Sequence, residues 1–115
     1  MKFAPLSLVV LLTAMVAQPL RAEEEGAAVQ RGLGLARQVC SECHAIQAQQ
    51  LQSPNARAPT FPALATTPGM TATALTVALT TPHAGMPMFR LTADQRESII
   101  AYILSLKQGG SPPGK

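Results

Sequence analysis

The stretch that decides the fold is "VCSECHAI", residues 39–46, which holds both cysteines of the chain and one of its two histidines. Cys40, Cys43 and His44 follow the spacing C-x-x-C-H. Three kinds of site use these residue types: a disulfide or thiol redox pair, a structural zinc site, and the attachment site of a c-type haem. Each of these three kinds of site requires different residues or secondary structure elsewhere in the sequence.

The surroundings of the motif favour haem attachment. A thioredoxin-type redox pair belongs to a βαβ pattern, and no strand alternation surrounds these cysteines. A structural zinc ion needs four ligands, and beyond the motif only His83 and scattered acidic residues are available. On a helix, residues three apart share one face, so Cys40 and Cys43 can both form thioethers with porphyrin vinyl groups while His44 points at the iron. We therefore predict one covalently bound haem c with its iron.

A second axial ligand has to come from another part of the chain. Methionine opposite histidine is the usual arrangement in cytochromes c and raises the reduction potential. Met86 is followed by Pro87, which stiffens the loop that would present the sulfur. The residues therefore favour His44 and Met86 as the two iron ligands. The full set of candidates for the second position is Met70, His83, Met86 and Met88.

The N-terminal segment has the layout of a secretory signal peptide. Lys2 provides the positive start, an apolar run covers residues 6–16, and Ala22 offers a small residue for cleavage. The alternative is a membrane anchor, but the run is nearer ten residues than the roughly twenty that cross a bilayer. We predict a cleaved signal peptide at 1–22 and export to the periplasm. The mature protein, not membrane-spanning, would have its domain at 23–108 and a flexible C-terminal tail at 109–115.

The charge and composition of the mature chain restrict the class of protein to which it can belong. The formal charge is +3, and Lys2 and Arg21 leave with the leader, so about +1 remains. Lysine and arginine form no cluster, so nothing favours nucleic-acid binding. The roughly ninety mature residues make one small domain. With no tryptophan and one tyrosine, its own core would be thin, and a cofactor would have to fill the interior.

The pattern of apolar residues predicts an all-α fold with long ordered loops. Four prolines between residues 47 and 70 exclude a long regular element there. The clearest helix start is Thr92 followed three residues later by Gln95, which is a capping-box signature. The predicted elements are a helix from Glu23 to about Ile46, a loop over 47–70, a short helix over 71–80, a loop over 81–90, and a C-terminal helix that ends before Gly109.

Three segments together resemble a known family. They are "GLGLARQVCSECHAI", "APTFPALA" and "HAGMPMFRLT", and they lie between Gly32 and Lys107. This part of the chain is similar to the small class I monohaem cytochromes c. The resemblance implies a cytochrome c-like fold, in which N- and C-terminal helices pack around the covalently bound haem. It also implies that the methionine of the third segment, Met86, binds the iron.

The resemblance assigns further roles to single residues. Pro59 is expected to accept a hydrogen bond from His44 through its carbonyl, with Pro54 as the alternative. Gly32 is expected to touch the C-terminal helix at Tyr102. One departure is Ala36, which stands where the family often has an aromatic residue. We therefore expect the contact between the two terminal helices to be looser there, or to be filled by Leu35.

The function that the resemblance implies is single-electron transfer rather than catalysis. A six-coordinate iron has no open site for a substrate, and no catalytic acid, base or nucleophile is apparent in the sequence. The expected partners are redox proteins: a periplasmic dehydrogenase, a terminal oxidase or a membrane cytochrome complex. The chain would serve them as a free carrier or as a cytochrome subunit. The alternative is a gas-binding or catalytic haem protein from which Met86 dissociates.

Overall fold

The computed structural model describes residues 5–107 of the chain, with side chains from residue 19 onward. The predicted tail at 109–115 lies outside the described residues. Within the described range the regular structure is helical, and the one β-type contact is an isolated bridge between His83 and Met86. The all-α prediction is confirmed. The helices are α1 (Pro5–Val39), α2 (Phe61–Thr66), α3 (Ala72–Thr80) and α4 (Ala93–Ser105).

Helix α1 differs from the prediction at both ends. It begins at Pro5 and continues past Ala22, so the structure is that of the uncut chain, and cleavage there stays a prediction. It ends at Val39 rather than near Ile46. Ser41 Oγ donates to the carbonyl of Arg37 at 2.7 Å. The competing side-chain bond accompanies the end of the regular helix. No helix in the described part of the chain has the length and apolar character to cross a membrane.

Threonine side chains fix where the three later helices begin. Thr60 Oγ1 accepts a hydrogen bond at the start of α2, and Thr71 does the same for α3. At α4 the full capping box is present, because Thr92 and Gln95 each accept from the other's backbone N–H. Thr92 and Gln95 were predicted for this role, and the prediction is confirmed. Helix α2 was not predicted. It has only six residues and lies within the proline-rich segment that was predicted to be a loop.

Helix α4 is the centre of the packing, since it contacts each of the other three helices. It crosses α1 at Gly32, where a Cβ atom would overlap the carbonyl oxygen of Ser98 and lie 2.7 Å from Cβ of Tyr102. The predicted contact between Gly32 and Tyr102 is therefore confirmed. Next to it Ala36 is fully buried, and Leu35 packs half-buried against the core. The most buried apolar side chains are Ala36, Ala45, Ile46, Phe61, Ala65, Leu75, Ile99 and Ile103.

Candidate functional site

The two cysteines lie on hydrogen-bonded turns immediately after α1. The backbone N–H groups of Cys43 and His44 both donate to the carbonyl of Cys40, at 3.2 and 2.9 Å, so one helical turn carries the whole motif. Cys40 is buried and Cys43 half-buried, and both are free thiols. Burial raises the pKa of the Cys40 thiol to about 11. The Cys40 thiol therefore stays protonated at neutral pH.

A metal site built from side chains alone has no support in the described part of the chain. No group of three or more His, Cys, Asp or Glu residues there is arranged to hold a metal ion. Among the three possibilities for the C-x-x-C-H motif, the structural zinc site is therefore without a ligand set. His83, the fourth ligand that a zinc site would have needed, is exposed and its Nδ1 lies 3.2 Å from the carbonyl of Thr81.

The imidazole of His44 is oriented by a backbone carbonyl. Its Nδ1 lies 2.7 Å from the carbonyl oxygen of Pro59, so the partner is Pro59 rather than Pro54. A carbonyl oxygen only accepts hydrogen bonds, so Nδ1 must carry the proton and donate. This tautomer leaves the lone pair of Nε2 available to a metal. A hydrogen bond of this kind also fixes the ring and raises the basicity of the ligating nitrogen.

The backbone on both sides of His44 is held by the loop that follows it. Asn55 donates its N–H to the carbonyl of Cys43 at 3.1 Å. The N–H of Ala45 donates to Oγ of Ser53 at 3.0 Å. The peptide units before and after the histidine are thus both tied to the same loop. Since a small shift of the backbone would move the imidazole, these two bonds restrict where His44 can point.

Gln50 also bonds to the backbone after His44, a role that was not predicted from the sequence. Its Oε1 accepts from the N–H groups of Ile46 and Gln47, both at 3.0 Å. The carbonyl of Ala45 is taken by the N–H of Phe61 at 2.9 Å. A signal was present in the sequence for two of these residues, because Ser53 and Asn55 flank Pro54 and such side chains in turns commonly bond to nearby backbone. It does not say which backbone groups they reach, and so Gln50, Ser53 and Asn55 were not singled out.

The candidate second ligand lies in the loop between α3 and α4. Gly85 has a φ of +81°, a conformation that favours glycine, and it turns the chain just before Met86. Met86 is half-buried, whereas Met88 is 51% exposed. Met70 packs against the hydrophobic core. The N–H of Met86 lies 3.4 Å from the carbonyl of His83, which closes this turn. Met70 follows a similar turn, with Gly69 at a φ of +77° and its own N–H 3.0 Å from the carbonyl of Thr67, whereas no such bond is formed by the N–H of Met88 among the described contacts.

A family model described as cytochrome c oxidase, cbb3-type, subunit III matches residues 27–103, about two thirds of the chain. The chain belongs to this family. It is therefore a c-type cytochrome domain with an all-α, cytochrome c-like fold and a covalently bound haem c, as the sequence predicted. No curated protein and no solved structure is significantly similar to this cytochrome.

The residues in place fit a haem c. Cys40 and Cys43 provide two unpaired thiols three residues apart on one turn, the pattern that thioether attachment requires. The Nδ1–H of His44 is used by Pro59, so in the neutral imidazole Nε2 is the nitrogen that can bind a metal. The ring of Phe61 lies beside the imidazole, with centroids 5.5 Å apart, and supplies apolar surface. Thiols, free imidazole nitrogen and apolar lining are thus all present at one place.

Proposed function

We propose that this cytochrome is a periplasmic electron-transfer protein whose iron is bound by His44 and Met86. The electron-transfer role follows from membership of the family. The observation that carries the ligand assignment is the 2.7 Å contact between His44 Nδ1 and the carbonyl of Pro59. It selects the tautomer that a haem ligand needs, at the residue directly after the attachment cysteines.

The chain's own residues have distinct tasks in this proposal. Haem supplies the exchange of one electron between the ferric and ferrous states of iron. Cys40 and Cys43 hold the group covalently, so it is not lost between encounters with partners. His44 would bind the iron through Nε2, and Pro59 would keep its ring fixed. If His44 and Met86 both bind the iron, no site would remain there for a substrate, and the protein would not act as an enzyme.

Met86 is the proposed second ligand because of its loop. A ligand that binds weakly, as a thioether sulfur does, has to be held near the metal by the protein rather than by its own affinity. The left-handed conformation at Gly85 and the turn to His83 restrict the backbone of Met86, which supports this assignment. Met88, half-exposed two residues later, has no comparable restraint among the described contacts.

Replacing Met86 should remove the methionine-to-iron charge-transfer band from the absorption spectrum of the ferric protein. We expect Met86→Ala to abolish the band and to lower the midpoint potential by on the order of 0.1 V. Axial ligands move haem potentials over about 0.8 V, and thioether sulfur favours the ferrous state. Met88→Ala is the matched control, since it removes the same side chain from the same loop. It should leave both band and potential unchanged.

The opposite result would assign the second iron ligand to a different methionine. If the band survives in Met86→Ala and is lost in Met88→Ala, the second ligand is Met88. Carbon monoxide binding to the ferrous wild-type protein tests the alternative function. Slow or no binding is expected when a side chain fills the sixth position. Rapid binding would favour a gas-binding or catalytic haem protein with a labile Met86.

The proposed partners are redox proteins of a respiratory chain. The family is described as subunit III of a cbb3-type cytochrome c oxidase, which makes an oxidase, or a protein that delivers electrons to one, the first class to consider. The exposed basic residues are few and separated along the chain, and residues 58–89 carry no Asp, Glu, Lys or Arg. Docking would therefore depend little on long-range attraction, and would be weak and transient.

The periplasmic location follows from the N-terminal segment and has its own test. We expect the haem-loaded protein recovered from an expressing bacterium to lack residues 1–22, because their layout is that of a signal peptide. Intact-mass spectrometry of the red protein from a periplasmic extract would measure this directly. A mass that still includes residues 1–22, found in the membrane fraction, would instead identify the segment as an anchor.

A further inference from the structure

Tyr102 joins helix α4 to the haem-attachment segment in two ways. Its hydroxyl donates a hydrogen bond of 2.6 Å to the carbonyl of Ile46, across 56 residues of sequence. Its ring packs against the ring of Phe61, with centroids 6.3 Å apart. Tyr102 is buried. Burial raises the pKa of its hydroxyl, with Arg37 opposing the shift, so the phenol is protonated and able to donate at neutral pH.

The two residues that Tyr102 contacts lie on the two segments that meet at His44. Ile46 follows the histidine by two residues. Phe61 follows Pro59 by two residues, and it donates its N–H to the carbonyl of Ala45 at 2.9 Å. The contact between His44 Nδ1 and Pro59 and the backbone bond from Phe61 to Ala45 thus hold the same two segments together. Tyr102 contacts both segments.

The ring contacts continue to the imidazole itself. Phe61 lies between the two other rings, 5.5 Å from His44 and 6.3 Å from Tyr102, and is tilted by 52° and 53° to them. Phe61 is buried, with 3% of its surface exposed, so it has little room to reorient. A displacement of the tyrosine ring would therefore be passed to His44 through Phe61, because interiors are close-packed.

We infer that Tyr102 is a positioning residue for the proximal ligand, acting through Ile46 and Phe61 to keep His44 hydrogen-bonded to Pro59. This inference rests on the proposed ligation of the iron by His44. The consequence concerns the reduction potential. A firm bond from Nδ1–H to the carbonyl increases electron donation by Nε2 and so favours the ferric state. Loosening that bond should shift the equilibrium toward the ferrous state.

The test is Tyr102→Phe in the haem-loaded protein, which keeps the ring and removes only the hydroxyl. We expect the equilibrium ratio of ferrous to ferric protein, at a fixed applied potential, to rise roughly two- to tenfold, the factor that corresponds to one net hydrogen bond. Potentiometry measures this shift. We also expect the Nδ1–H of His44, followed by NMR in the ferrous protein, to exchange with deuterium faster by a similar factor.

Thr92→Ala is the matched control for lost stability. It removes the cap of the same helix and so lowers the stability of that helix, without touching Ile46 or Phe61. It should lower the melting temperature and leave both the potential and the exchange rate unchanged. If Tyr102→Phe shifts neither quantity relative to Thr92→Ala, the positioning role is refuted and the tyrosine serves only to join the helices.

Ser53→Ala provides a second variant that leaves α4 intact. It removes the acceptor for the N–H of Ala45 and should change the potential and the exchange rate in the same direction as Tyr102→Phe. Failure of the underlying ligand proposal would look different. The Nδ1–H resonance of wild-type His44 would then lack the large ring-current shift of an imidazole bound at a haem, before any variant is compared.

Discussion

Replacing Gly32 with alanine is expected to lower the free energy of unfolding by about 3 kcal/mol or more. Introducing one methyl group into a packed interior usually costs about 1–3 kcal/mol, when side chains can move aside. Here the added Cβ would overlap the carbonyl oxygen of Ser98 and lie 2.6 Å from its carbonyl carbon. Backbone cannot turn away as a side chain does, so α1 and α4 would have to separate along their contact.

Chemical denaturation of the haem-loaded protein, followed by circular dichroism, would measure the loss. Gly34→Ala is the matched control, since it makes the same substitution two residues later in the same helix, where nothing lies within 4 Å of the new Cβ. Alanine has the better helix propensity, so Gly34→Ala should increase stability by up to about 1 kcal/mol. Equal effects of the two substitutions would show that α1 and α4 do not cross at Gly32 as described.

Most of the site could be predicted because its chemistry is local in sequence. Cys40, Cys43 and His44 are consecutive members of one motif, and the family model that includes them supports the covalent haem c. Pro59 came from the family resemblance rather than from spacing. The hydroxyl contact of Tyr102 with Ile46 could not be found in this way. It spans 56 residues, and no local pattern encodes which backbone carbonyl a distant side chain will reach.

The errors in the predicted fold have a similar cause. Residues 40–46 include no residue that is incompatible with a helix. The periodicity of the apolar residues therefore predicted a first helix that is too long at its C-terminal end. The helix ends at Val39 because Ser41 Oγ bonds to the carbonyl of Arg37 and because the following loop forms hydrogen bonds with the backbone of residues 43–46. The capping box at Thr92 was predictable because both partners are three residues apart. A local cap was not sufficient everywhere, because α2 also begins at a local cap, Thr60, and was not predicted.

A chain in which Cys40 and Cys43 are both replaced by alanine is expected to carry no covalent haem and to be largely unfolded. Among residues 19–107, whose side chains the structure describes, the buried aromatic side chains are Phe61 and Tyr102. A domain of this size buries too little surface to be stable by a wide margin. Apolar surface supplied by the haem, and the iron bond to His44, would make up the difference. Far-UV circular dichroism should show mostly unfolded chain, against a helical haem-loaded wild type.

The alanine substitutions also remove sulfur atoms from the interior, because Cys40 is itself 8% exposed and part of the core. The wild-type chain produced without haem attachment separates the two causes, since it keeps both thiols. If haem supplies the missing stability, this chain should be as unfolded as the double variant. Should it instead fold and unfold cooperatively with urea, the thiols' packing would account for the variant's loss. If both haem-free chains fold, α1 to α4 form a stable core by themselves, and the proposed dependence of the fold on haem is wrong.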